Sequence, residues 1–120
     1  MKRALLALAL AACCGPLDVE APSALTPGEA QYAAAALVRG CTGRAVMAAE
    51  IEWAVVRSIK GDARNLGAWE APNRIYLVDG ALNDTLIAAH ELVHHVLRGD
   101  PGHRNAAWVA CRVMPSDWEG

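Results

Sequence analysis

The chain has 120 residues, of which 13 are acidic and 11 basic, for a formal net charge of −2. The two signs are interspersed, so no basic stripe is available to neutralise phosphates, and nucleic acid is excluded as the expected partner. The length admits one domain at most, with room for a single modest core.

Lys2 and Arg3 precede an uncharged apolar run from Ala4 to Ala12, the n-region and h-region pattern of an export signal. That run is too short to span a bilayer as a helix, which needs about 20 residues. Leu10-Ala11-Ala12-Cys13 resembles the lipobox of bacterial lipoproteins. The resemblance implies that residues 1–12 are removed, that Cys13 is lipidated, and that the mature chain is anchored to a membrane rather than spanning it. Because Cys14 rather than Asp follows, it further implies sorting to the periplasmic face of the outer membrane. Residues 13–25, with Pro16 and Pro22, are expected to be a tether, and 26–120 the folded domain.

The domain opens at Thr26-Pro27-Gly28-Glu29, a capping Thr followed by Pro at the first helical position and Glu at the third. This predicts a first helix over 27–39, stopped by Gly40. Residues 51–60, rich in Ile, Trp and Val and closed by Gly61-Asp62, predict a strand; residues 67–70 and 74–79 predict two more around Ala71-Pro72-Asn73. Three short strands suggest one antiparallel sheet, hence an α+β domain. Asn83 and Asp84 offer N-caps for a second helix running to Gly99. Asp100-Pro101-Gly102 then turns the chain before a short helix near 105–112.

Four cysteines remain to be assigned. In an oxidising compartment Cys41 and Cys111 are expected to form a disulfide stapling a small domain, the alternative being two buried free thiols. Cys14 is left over. No CxxC pair exists, which argues against cysteine as a metal ligand.

All four histidines fall between residues 90 and 103. The second helix is apolar almost all round except for His90, Glu91, His94 and His95, so it should be buried. Unpaired polar groups inside a core are costly, and a metal ion supplies a partner. Positions 90 and 94 lie one turn apart on one face, where two imidazoles can converge on an ion. Glu91, about 100° further round, falls beside the ion.

Ala89-His90-Glu91-Leu92-Val93-His94 resembles the active-site helix of the zincin metallopeptidases. The resemblance implies a minimal zincin-like domain in which His90 and His94 bind zinc and Glu91 is the catalytic acid and base in hydrolysis of a peptide or protein substrate. It also implies a sheet beside the helix whose edge strand pairs with substrate, with residues 74–79 as the candidate strand. The third ligand departs from known patterns. Metzincins read HExxHxxGxxH, whereas Leu97 and Asp100 stand at the last two marked positions; Glu119 is a poor match to a gluzincin glutamate. His103 is the favoured third ligand, with Asp100 as the alternative or as acceptor for a ligand imidazole N–H. Val113-Met114-Pro115 is similar to a metzincin Met-turn, although plain core is the simpler reading. His95 is expected to be hydrogen-bonded outside the cluster, and Trp53, Trp69, Trp108 and Trp118 to be large core residues. The competing functional readings are a metal-binding lipoprotein without catalysis and, last, an endoribonuclease-like zinc hydrolase, a class that lacks a Glu where Glu91 stands.

Overall fold

The computed structural model describes residues 17–62 and 64–118. The export signal, Cys13, Cys14 and Glu119 lie outside the described residues, as does the Trp118 side chain. The elements in chain order are β1 (Val19–Glu20), β2 (Ser23–Ala24), α1 (Glu29–Thr42), β3 (Glu52–Val56), β4 (Ser58–Ile59), β5 (Gly67–Glu70), β6 (Arg74–Val78), α2 (Thr85–Leu97), α3 (Ala107–Cys111) and α4 (Pro115–Trp118). The coarse α+β class is as expected. Among the described residues no helix is long and apolar enough to cross a membrane.

Three boundaries differ from the sequence reading. Helix α1 starts at Glu29 with Gly28 as its N-cap, and Gln31 does the capping by accepting the Gly28 N–H at 2.8 Å. Buried Gln31 also donates to the Leu82 carbonyl at 2.8 Å, fixing the start of α1 to the approach of α2. Gly40 does not stop the helix; Gly43 does, with a left-handed φ of 72° that a side chain would resist. The stretch expected to be a tether contains β1 and β2, which pair with β4 and β3 respectively.

The expected 51–60 strand breaks at Arg57. Its two parts join different sheets, because β1 captures β4 in a two-stranded ribbon while β3 enters a four-stranded sheet of order β2-β3-β6-β5. That sheet is not purely antiparallel: β3 and β6 run parallel, with Trp53 beside Ile75 and Val55 beside Leu77. Asn73 explains this. Its side chain donates to the Glu50 carbonyl at 2.8 Å and its carbonyl accepts the Glu52 N–H at 2.9 Å, so both strands start at the same end. Residues 74–79 therefore supply an interior strand, and among the described residues the free edge beside α2 belongs to β5.

Trp53, Ile75 and Leu77 on one sheet face pack with Ala34, Ala35 and Val38 of α1 and Ala88, Ala89, Leu92 and Val93 of α2 in one core. The alanines let the two helices approach closely. On the other face Val56, Ile59 and Tyr76 make a smaller cluster capped by Leu17 and Val19. Asp84 caps α2 by accepting the N–H groups of Leu86 and Ile87, at 3.0 and 3.2 Å. The expected disulfide is present, with Cys41 at the end of α1 bonded to Cys111 at the end of α3 across 70 residues. Closing so long a loop in the unfolded chain contributes about 4 kcal/mol.

Candidate metal centre

Helix α2 presents His90 and His94 from successive turns, and the chain after it brings His103 back to them. One ligand nitrogen from each lies within 4.8 Å of the other two, and His103 Nε2 stands 3.2 Å from His90 Nε2. Asp100 is not in this group. Each helical imidazole is oriented from behind by a backbone carbonyl: His90 Nδ1 lies 2.8 Å from Val113 O and His94 Nδ1 lies 2.8 Å from Gly99 O. A carbonyl only accepts, so each Nδ1 carries the proton and each Nε2 is the unprotonated nitrogen, that of His90 facing His103 Nε2.

Burial pushes the His90 imidazole down to about 4 and lowers His94 in the same direction, with a smaller opposing effect from the carbonyl each ring bonds. Both rings are therefore neutral at pH 7, the form a metal requires. Three converging imidazoles, two fixed in the right tautomer, make a donor set that fits a divalent transition metal.

The third histidine of the cluster comes from a loop with left-handed residues. Asp100 and His103 have left-handed φ values of 63° and 53°, uncommon for residues with a side chain and costing about 1–2 kcal/mol each. Asp100 holds this loop: one carboxylate oxygen accepts the N–H groups of Arg104 and Asn105, both at 2.9 Å, and the Trp108 indole N–H at 2.7 Å. Those bonds keep its carboxyl below the usual range. The hydrogen bonds of Asp100 thus go to backbone and indole N–H groups rather than to an imidazole, the alternative considered for it. Trp108, fully buried on α3, lies against all three imidazoles, with ring centroids 4.8 Å from His90, 4.6 Å from His94 and 4.5 Å from His103.

The Glu91 side chain packs toward β5, against Gly67. It is 5% exposed, and burial pushes its carboxyl up to about 8, with the Trp69 backbone N–H opposing the shift. A dication nearby would favour the ionised form. Gly67 makes the room for it: a Cβ there would sit 3.1 Å from Glu91 Cγ and 3.3 Å from Oε2. Because Val78 donates to Leu66 O, the alternation of an antiparallel pair turns the backbone groups of Gly67 and Trp69 away from β6, onto the free edge.

His95 stays outside the cluster, as expected, accepting the Trp69 indole N–H at 3.2 Å. Met114 packs on the main core. Sequence reasoning missed Gly67, the Val113 and Gly99 carbonyls, and the part Trp108 plays. Only Trp108 carried any signal, as an aromatic residue five positions beyond His103. No family model, curated protein or solved structure matches the chain.

Proposed function

We propose that the chain is a zinc-dependent peptidase of zincin type, anchored to the bacterial cell envelope by lipid on Cys13. The observation that carries the reading is the convergence of His90, His94 and His103 beside a buried Glu91 on the same helix. Tetrahedral zinc with nitrogen ligands at about 2.0–2.1 Å separates two of them by about 3.3 Å. The 3.2 Å between His90 Nε2 and His103 Nε2 matches that spacing. Three protein ligands leave one position open, which is the catalytic rather than the structural pattern.

Bound there, zinc supplies a Lewis acid that polarises the scissile carbonyl and acidifies water. The chain supplies the rest. Glu91 takes the proton from the attacking water and delivers it to the leaving amine. Gly67 offers its backbone donor and acceptor, and Trp69 its carbonyl, on the edge of β5 to an extended peptide, while the Trp69 N–H is held by Glu91. The substrate strand is therefore β5 rather than the 74–79 segment expected from the sequence.

Purified protein carrying one zinc should cleave an unstructured protein such as casein and lose that activity to a chelator. Glu91→Gln should keep zinc and lose cleavage. The near-complete burial of Glu91 favours a second reading, a lipoprotein that holds metal without catalysis. That reading holds if the zinc-loaded wild type and Glu91→Gln are equally inert against a broad peptide library.

A further inference from the structure

His103 is the one ligand not fixed by helix geometry, and its local backbone is unfavourable. Something else must specify its position. The bonds at Asp100 identify what does. A single oxygen gathers two loop N–H groups and, from the next helix, the Trp108 indole N–H at 2.7 Å, the shortest of the three. The first two are local to the loop and travel with it. The Trp108 bond alone connects that carboxylate to a side chain that is 1% exposed and embedded in the main core.

Helix α3 is in turn fixed at its far end by the Cys41 to Cys111 bond, and the chain just beyond it supplies the Val113 carbonyl that orients His90. One short segment therefore supports ligands on both halves of the site. The Trp108 ring also touches all three imidazoles, so it limits how far each can rotate away.

We propose that Trp108, acting through Asp100, is the positioning residue that delivers His103 to the metal, so that losing its indole N–H removes the third ligand without touching the other two. This rests on the three-histidine metal reading but not on peptidase activity. The ring and the N–H have separable roles, because Trp108→Phe keeps an aromatic face against the imidazoles and deletes only the donor. Asp100→Ala deletes the acceptor. Asp100→Asn keeps an oxygen acceptor at a left-handed position that Asn tolerates.

Zinc affinity is measured by competition with a chromophoric chelator, and the visible spectrum of the cobalt-substituted protein reports coordination geometry. Trp108→Phe and Asp100→Ala should each lose about 10- to 100-fold in zinc affinity, the range for residues that orient metal ligands. Their cobalt spectra should weaken toward that of His103→Ala, and Asp100→Asn should restore most of both. Combined with His103→Ala, neither substitution should cost more than His103→Ala alone, since all act on the same ligand. The proposal is overturned if Trp108→Phe and Asp100→Ala bind zinc as wild type does, or if their losses add fully to that of His103→Ala. If Trp108→Phe fails to fold, the Asp100 pair decides it: equal affinities for Asp100→Ala and wild type overturn it. If His103→Ala itself leaves zinc affinity and the cobalt spectrum unchanged, the metal reading fails first.

Discussion

The two halves of the candidate metal centre are built by different physics. His90 and His94 are placed by helix repeat: once α2 forms, their spacing follows, and two carbonyls at 2.8 Å fix their rings. His103 is placed by tertiary structure, through two left-handed residues, a carboxylate with three donors and a buried indole. A helical pair survives small disturbances elsewhere in the fold. A loop ligand fails when its anchors fail.

The largest expected effects test the chemical role of the helical half. Glu91→Gln should retain one zinc yet lose about 10²–10⁴-fold in kcat on a cleavable peptide, the range for a general base. His94→Ala should lose zinc outright in an equilibrium dialysis in which His103→Ala retains a fraction. Equal retention by the two would erase the distinction between the halves.

The loop half is tested through its staple. Reducing Cys41 to Cys111, or substituting Cys111→Ser, should cost about 4 kcal/mol in denaturant unfolding and weaken zinc binding as well, because α3 then loses its far anchor. Loss of stability with zinc affinity unchanged would show that α3 holds its place without the bond.

Next in size is Gly67→Ala. The added methyl must displace Glu91 or the β5 backbone, costing about 1–3 kcal/mol. Zinc should stay and kcat should fall. A variant with wild-type turnover would place the working carboxylate elsewhere.

The smallest effect concerns pH in metal-free protein. Glu91 is raised to about 8 from an ordinary 4.5, so the folded state holds a proton that the unfolded chain releases, and stability falls as pH rises through that window. His90 is lowered to about 4 from 6.5, so its contribution is complete above 6.5 and lost as pH falls toward 4. The two oppose each other between about 4.5 and 6.5. Above 6.5 Glu91 acts alone, and stability should drop by on the order of 2 kcal/mol by pH 8. Thermal melts of Glu91→Gln with chelator present should lack this decline; a slope equal to wild type would contradict the assignment.

How much of this was legible in the sequence follows the same division. Local signals read well: the Asp84 cap, the α2 span and the turn at 71–73 follow from residue type and short spacing, and the disulfide followed from cysteine count and compartment. Long-range choices did not. Nothing local says that Asn73 reaches back to Glu50 and makes β3 and β6 parallel, or that β1 draws β4 into a separate ribbon. Helix α1 runs past Gly40 to Gly43, so that Cys41, bonded 70 residues away, lies within it. At the site, the convergence of His90 and His94 was legible in the HExxH string, and that of His103 in the Gly99 to Gly102 turn. The role of Asp100 was left open between alternatives, because its partners are backbone groups and an indole that only the folded loop brings together.

The most direct test of the three-histidine zinc site is zinc-edge X-ray absorption on the loaded protein. The account predicts three imidazole nitrogens at about 2.0–2.1 Å and one further oxygen ligand, with one imidazole fewer in His103→Ala. A fit that needs sulfur at about 2.3 Å, or an identical imidazole count in wild type and His103→Ala, would contradict it.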